Sequence, residues 1–350
     1  MSDTMQIDIV IPNFNGKIFL PACLDSLQRQ SYSDFHVIVV DNGSSDGSVE
    51  LLRQNYPDVE VLVWADNTGF SAAVNGGIKA GTAPLVFLLN NDTELDEHCL
   101  ERLVAAAESK TEFGFFASKM LDYHDRSVLD GAGDSFLRGG VGYRIGTMEK
   151  DNEYYSTARQ VFGACAGAAL YRREFFEEIG LFDEDFFAYL EDVDINLRAN
   201  SRGIRCWYVP DARVYHIGSA TTGSKINPFT VSLSTRNNLC LLVKNYPVLL
   251  LLRYLPAICV YQFFWLCFVI KKIQFVAYMQ GLFKFCKILP LMLRKRRKNL
   301  LSQTLGHQKL AQIMNKAERE VIQSIMSRRE AKGRGNQLFS FYQRLFLSGK

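Results

Sequence analysis

The sequence predicts an α/β protein whose mostly parallel sheet carries helices on both faces, followed by a separate helical C-terminal region. Three observations predict it. Short β-branched or apolar runs recur at nearly regular spacing between residues 7 and 89. The segments between them have the length and periodicity of helices, and the composition turns sharply apolar near residue 246.

The runs are IDIVIP (7–12), FHVIVV (35–40), VEVLVW (59–64) and PLVFLL (84–89). Between the first two, FLPACLDSLQRQ (19–30) puts Leu20, Leu24 and Leu27 on one helical face, and SVELLRQNY (48–56) and SAAVNGGIKAG (71–81) fill the next two gaps. Strands that alternate with helices pair in parallel, because a parallel neighbour is reached only through a crossover. In such sheets ligands bind beyond the carboxyl ends of the strands. Each run here ends in polar turn residues: PNFNG (12–16), DNGSSDGS (41–48), ADNTGF (65–70) and NNDTELD (90–96).

Asn, Asp, Gly and Ser are ordinary turn and helix-capping residues, so one such tip carries no function by itself. Four tips on one sheet edge point to a nucleotide. Asp41 is placed to accept from the N3–H of uracil or thymine, beside a Gly-Ser turn that lets backbone approach a ribose. Asp92 offers a hard oxygen to Mg2+ or Mn2+, which would neutralise a diphosphate.

Composition narrows the classes. At 350 residues, 48% hydrophobic and 12% aromatic, the chain builds a large core or two smaller ones and is not disordered. A net charge of +3 argues against nucleic acid as a partner. The eight cysteines, at 23, 99, 165, 206, 240, 259, 267 and 286, form no CxxC pair and no rhythm with histidine, which suits a reducing compartment. MSDTMQIDIV lacks the basic flank and apolar run of a secretory signal, so the catalytic part is expected on the cytosolic side. No GxGxxG follows the first strand, and GSATTGSK (218–225) reverses the Lys-Ser order that a P-loop needs, which sets aside dehydrogenases and P-loop NTPases. PNFNGK is also poor as the Gly- and Arg/Lys-rich activating loop of a nucleotidyltransferase.

Six segments in order, IVIPNFNG, VVDNGSSDGS, NTGFSAAVNGGI, LLNND, GACAGAALYRREFFEEIGLFDEDFFAYLEDVDINLR and YVPDARVYHIGS, resemble the family 2 glycosyltransferases of GT-A fold, especially their rhamnosyltransferase-like branch. The resemblance covers residues 5–245. It implies a Rossmann-like nucleotide-diphospho-sugar transferase fold and an inverting, cation-dependent transfer of sugar from a nucleoside diphosphate to an acceptor hydroxyl. By the same resemblance Pro12, Asn15 and Asp41 match positions that hold the nucleobase, and Asn67, Gly69 and Asn75 match those lining the nucleoside. Asn90, Asn91 and Asp92 occupy the metal-motif position with fewer carboxylates than usual. His216 matches a position that supplies a further metal ligand in some relatives and is a structural histidine in the alternative. The QxxRW signature of processive relatives is missing, which implies one sugar per encounter.

Inverting transfer needs one base to take the acceptor proton during attack. In FFAYLEDVDINLR the residues Leu190, Val193 and Leu197 form an apolar helical stripe, so Glu191, Asp192 and Asp194 begin a helix. Acidic residues also favour helix N-termini by charge–dipole attraction. With the family match, Asp192 is the expected base and Glu191 its neighbour or substitute. DGAGDSFLRGGVGYRIG (130–146) reads as a flexible closing loop, with Asp130, Arg138 and Arg144 able to reach hydroxyls or phosphates. GACAGAALYRR (163–173) reads as a place where backbone nears a sugar, or as tight packing.

The expected organisation is a GT-A domain over 1–245, apolar membrane-associating helices with a basic flank over 246–300, and an amphipathic helical tail over 301–350. YPVLLLLRYLPAICVYQFFWLCFVI and FVAYMQGLFKFCKILPLML are long enough for a bilayer and are flanked by KK and RKRRK (294–298). Arg253 and Pro256 leave open a span, an interfacial or re-entrant hairpin, or a buried pair. The tail helix (305–332) is expected to pack on the domain or lie on lipid. Together these readings predict a transferase of rhamnose from dTDP-rhamnose to a lipid-linked or cell-envelope glycan acceptor, at the membrane lipid surface on its cytoplasmic face. A UDP-hexose transferase and a non-catalytic nucleotide-sugar or glycan binder are the alternatives.

Overall fold

The computed structural model of the chain describes residues 6–218 and 226–347, so the P-loop-like GSATTGSK segment lies outside it except for Gly218. The first half runs β1 (Ile7–Asn13), α1 (Leu20–Gln28), β2 (Phe35–Asn42), α2 (Ser48–Asn55), β3 (Glu60–Trp64), α3 (Phe70–Ala80) and β4 (Leu85–Leu89). β1 pairs in parallel with both β2 and β4, and β2 with β3. Every side chain of β4 is buried, as a central strand covered on both faces requires.

The chain continues through β5 (Thr93–Leu95), α4 (Cys99–Ser109), β6 (Phe115–Asp122), β7 (Leu129–Ala132), β8 (Asp134–Leu137), β9 (Val141–Arg144), β10 (Arg159–Val161), β11 (Ala168–Arg172), α5 (Arg173–Ile179), α6 (Glu191–Ser201) and β12 (Cys206–His216). The main sheet orders as β10-β12-β6-β11-β4-β1-β2-β3, with β11 antiparallel to both neighbours. One hydrophobic cluster lies under α1 and α4 and a second lies on the opposite face.

The segment 130–146 corrects a reading made from its glycines: it is three strands, not a loop. β8 and β9 form a hairpin in the register Asp134↔Arg144, with Gly140 (φ +84°) in its turn. Gly142 and Gly131 let Val193 and Arg144 close on it, so the glycines serve packing. Arg138 is buried and paired with Glu318, out of reach of any phosphate.

The C-terminal part comprises α7 (Pro228–Asn245), α8 (Val248–Lys271), α9 (Phe275–Leu301), α10 (His307–Glu330) and α11 (Gln337–Phe346). A third cluster joins Phe136, Phe162, Val193 and Leu197 of the sheet half to Tyr254 and Ile258 of α8, Met292 of α9, and Leu310, Met314 and Ala317 of α10. Packing therefore crosses the compositional boundary near residue 246. Of the two places open to the tail helix, α10 takes the domain. The carbonyl of Ala317 accepts from Ser135 of β8 at 2.9 Å, and Arg328 donates to the carbonyl of Thr147 at 2.9 Å.

Candidate active site

From β1 the chain moves outward to β2 and β3, then returns to the other side of β1 at β4. The crossovers diverge there and leave a crevice above the carboxyl ends of β1 and β4. Three polar tips are joined in it. Asn91 donates to Asn13 Oδ1 at 2.7 Å, Asn13 donates to Asp41 Oδ2 at 2.8 Å, and the Ser44 N–H donates to Asp41 Oδ1 at 3.0 Å. Asn13, Asp41 and Asn91 are buried. Asn13, the hub, was not singled out by sequence reasoning; its only signal was its place between Pro12 and Asn15.

Pro12 lies beside Val40 at the end of β1. Asn15 has a positive φ of 50° and accepts from the Ser45 N–H at 2.9 Å, which closes the first tip onto the second. Asn42 donates to Asn67 Oδ1 and to the Gly69 carbonyl, both at 3.1 Å, and shapes the third tip. Gly69 has φ +93°, and a Cβ there would sit 2.6 Å from Phe187, so only glycine lets this tip touch the lead-in to α6. Asn75 is buried on α3. It donates to the Phe182 carbonyl and to Glu184, both at 2.9 Å, and accepts from the Phe182 N–H, which ties α3 to that segment.

At the end of β4 the Asn90 N–H donates to the Gly167 carbonyl at 2.9 Å, so GACAGAALYRR packs against this tip. Asp92 is buried, with Oδ1 3.3 Å from His216 Nε2. His216 Nδ1 lies 2.8 Å from Asp130 Oδ2. Asp130 also pairs with Arg144, whose Nη2 donates to Cys165 Sγ at 3.0 Å. Burial opposes a charged His216, but the hydrogen bonds to Asp130 and Asp92 outweigh it and raise its pKa above the ordinary 6.5. Burial likewise pushes Asp92 up, and the His216 hydrogen bond and charge hold it below 3.8.

A divalent cation fits this pair. Two donors 3.3 Å apart suit adjacent positions on an ion that binds oxygen and nitrogen at about 2.1 Å. Asp130 on Nδ1 leaves Nε2 to face a metal, as carboxylates hydrogen-bonded behind ligating histidines do. Asp134, Cys165 and Asp192 also bring three ligand-type atoms within 4.8 Å of one another. The Arg144 guanidinium lies against that group and supplies positive charge to it.

Asp192 and Glu191 open α6 after a strained approach: Phe187, Tyr189 and Leu190 all have positive φ, at 63°, 69° and 67°. Such backbone costs roughly 1–3 kcal/mol per residue and persists only where neighbours over-determine it. Here Asn237 of α7 donates to the carbonyls of Phe186, Ala188 and Tyr189 at 2.7–2.9 Å, and Arg236 to those of Asp185 and Phe186 at 2.8 Å. Asn237 lies far along the chain and gave no sequence signal. Glu191 is buried with an unpartnered Oε2, and burial followed by the Asp192 charge pushes its pKa well above 4.5. Asp192 is half-buried and accepts from the Val193 N–H at 2.7 Å. Burial raises its pKa despite Arg144. Asp194 is fully buried between Arg198, Lys244 and Asn245, a structural carboxylate. Asp134, behind Asp192, is pushed up to about 8 by burial and then by the Asp192 charge.

The family described as Glycosyl transferase family 2 matches residues 8–180. N-acetylglucosaminyl-diphospho-decaprenol L-rhamnosyltransferase of Mycobacterium tuberculosis is 30% identical over 245 residues, 63% of this chain and 78% of that protein. The O-antigen biosynthesis protein RfbC of Myxococcus xanthus is 30% identical over 230 residues, 62% of this chain but 18% of that protein. The crystal structure of GalNAc-T7 with UDP, GalNAc and Mn2+ shares the fold at TM-score 0.55 and 17% identity, over 67% of this chain and 48% of that one.

Proposed function

We propose, from the premise that this chain belongs to glycosyl transferase family 2 and has the GT-A fold, that it moves one sugar with inversion from a nucleoside diphosphate to a hydroxyl of a lipid-linked or cell-envelope glycan. The observation that carries the reading is the crevice at β1 and β4, where the hydrogen-bonded Asn91–Asn13–Asp41 chain stands beside the Asp92–His216 pair. We assign dTDP-rhamnose as donor on the strength of the mycobacterial relative, whose name specifies rhamnosyl transfer to a diphospho-polyprenol acceptor.

In this assignment Asp41 reads the base, and Pro12, Asn15, Asn67 and Gly69 line the nucleoside. Asn90 and Asn91 border the diphosphate. Asp92 and His216 would hold Mg2+ or Mn2+, which neutralises charge on the departing diphosphate when bound. Asp192 takes the proton of the attacking hydroxyl. Its partial exposure favours it over the buried Glu191, and a raised pKa makes it a better proton acceptor while it stays ionised. Catalysis belongs to residues 1–245 and lipid contact to 246–300, on the cytoplasmic face of the membrane, with 301–350 bracing the domain.

A thermal-shift panel of nucleotide-sugars with Mg2+ and Mn2+ tests the donor site, because a ligand that binds the native state raises the melting point by mass action. Stabilisation by dTDP-rhamnose is expected; stabilisation by UDP-sugars instead moves the assignment to another hexose. No shift with any donor overturns the site. Release of free nucleotide only when acceptor is added establishes transfer, and binding without release makes the chain a glycan-assembly binder.

A further inference from the structure

α8 and α9, of 24 and 27 residues, are each long enough to cross a bilayer and carry a sufficiently apolar stretch. At 1.5 Å per residue α8 spans about 36 Å, against a hydrocarbon core of about 30 Å. Their attachment to the rest of the molecule does not allow that orientation. α9 runs along α7 in the same direction. Lys284 donates to Ser232 at 3.2 Å near one end, and Arg296 and Asn299 reach the Val243 carbonyl and Asn245 near the other. α8 returns antiparallel, with Trp265 donating to Thr235 at 3.0 Å and Gln262 to Asn238 at 2.6 Å.

α7 is in turn tied to the catalytic domain at its middle and at its C-terminal end. Lys244 is paired with Asp183 and Asp194 at 2.6 and 2.8 Å, and Arg236 and Asn237 hold the turn before α6. Along the C-terminal half of α9, therefore, buried ions and amides of the domain lie at the same height. Driving the hairpin through a bilayer would carry these into hydrocarbon, at several kcal/mol for each polar group left without its partner.

The opposite faces of both helices are apolar and uncovered. Phe263, Ile270, Ile273, Val276 and Phe283 are exposed, Ile273 at 90%. Their surroundings have one sign of charge. No Asp or Glu occurs between Asp211 and Glu318, while Lys271, Lys272, Lys287, Arg294, Arg297 and Lys298 are exposed around the apolar surface.

We infer that the α8–α9 hairpin is a monotopic platform that lies in the headgroup plane of an anionic bilayer leaflet, apolar face toward the acyl chains and Lys/Arg toward the lipid phosphates, without crossing it. An amphipathic surface of this kind sinks about 5–10 Å, and long basic side chains reach back to the headgroups. The inference depends on neither donor nor acceptor, so it stands or falls apart from the functional reading.

The test uses the purified full chain and preformed vesicles of phosphatidylcholine, alone or mixed with phosphatidylglycerol. The chain is expected to sediment with the mixed vesicles and weakly with phosphatidylcholine alone. Phe263→Ser with Ile273→Ser and Phe283→Ser removes exposed surface only, so its melting point should hold while vesicle binding is lost. Neutralising Arg294, Arg297 and Lys298 to Gln should lower partition about fivefold per charge, on the order of a hundredfold together, whereas Lys295 and Arg296 are engaged inside the protein. With Cys259, Cys267 and Cys286 replaced by Ser, a Lys272→Cys chain bound to sealed vesicles should react with an impermeant thiol reagent added outside. Protection of that position until the vesicles are lysed means a span and overturns the platform. Absence of binding to any vesicle overturns it too, as does a solution dimer that the Phe263/Ile273/Phe283 variant dissociates. Donor stabilisation measured without vesicles reports separately on the active site.

Discussion

Replacing Asp130 with Asn tests whether His216 is a metal ligand and whether the residue behind it matters. Asp130 Oδ2 lies 2.8 Å from His216 Nδ1, and Arg144 holds Asp130 in turn. Asn keeps an acceptor oxygen in the same place, so the ring orientation survives and only the charge is lost. Charge-assisted hydrogen bonds are roughly twice as strong as neutral ones. Losing an outer-shell partner costs about 10- to 100-fold in metal affinity. With the neutral bond retained, the low end applies: half-saturating Mn2+ or Mg2+ should rise about tenfold, near 1.4 kcal/mol. The assay is nucleotide release at fixed donor against cation concentration, with turnover at saturating metal close to wild type.

The pH dependence supplies a second signature. Because Asp130 and Asp92 raise the His216 pKa, protons compete with the cation at Nε2 below that raised value. The variant's histidine titrates lower and suffers less competition, so the gap between the two proteins should narrow as pH falls. An unchanged half-saturation at every pH would refute the assignment of His216 as a ligand held by Asp130.

Asp192→Asn should lower turnover by about 10²- to 10⁴-fold while donor affinity, read by thermal shift, hardly changes; loss of donor binding would make Asp192 a structural residue. Asp92→Ala should remove the cation dependence of donor binding, and a variant still stabilised by donor only when metal is present would rule Asp92 out. Asn237→Ala removes its hydrogen bonds to three carbonyls of the strained turn, of which Phe186 keeps the one from Arg236, and should destabilise by about 2 kcal/mol while lowering turnover; urea unfolding and kinetics measured together check both. Asp183 is held at about 2, against an ordinary 3.8, because the Lys244 and Lys295 charges and hydrogen bonds override burial. A depressed carboxylate contributes stability that is complete above its unfolded pKa and lost as pH falls through the folded one. Acid unfolding followed by tryptophan fluorescence should therefore show a loss on the order of 2 kcal/mol between pH about 4 and about 2. Asp183→Asn should flatten that window, and an unchanged acid limb would count against the network.

The sequence by itself determined the parallel half of the sheet. Runs such as FHVIVV and PLVFLL are apolar on both faces, the helices between them have their own period, and Gly, Asn and Asp stop each strand; all of this is local and needs no partner to be read. It also determined which residues carry oxygen and nitrogen at the strand tips, among them Asp41, Asp92 and His216. It misjudged 130–146, where six glycines in seventeen residues suggest a loop but serve close packing, among others against Val193, Leu242 and Tyr261, residues far off in the chain.

Tertiary structure alone decided the connections. Asn13 and Asn91 are 78 residues apart and His216 and Asp130 are 86 apart, so no periodicity could pair them. Asn237 meets the turn before Asp192 only because α7 crosses it. Hydropathy summed along α8 and α9 says how much apolar surface exists, but not which side of each helix the protein covers. That depends on where α7 lies, and α7 is positioned by buried charges at Asp183, Asp194 and Lys244 that belong to distant parts of the chain. A strand or helix follows from side chains a few residues apart, whereas a site and an orientation follow from chain closure over tens to hundreds of residues.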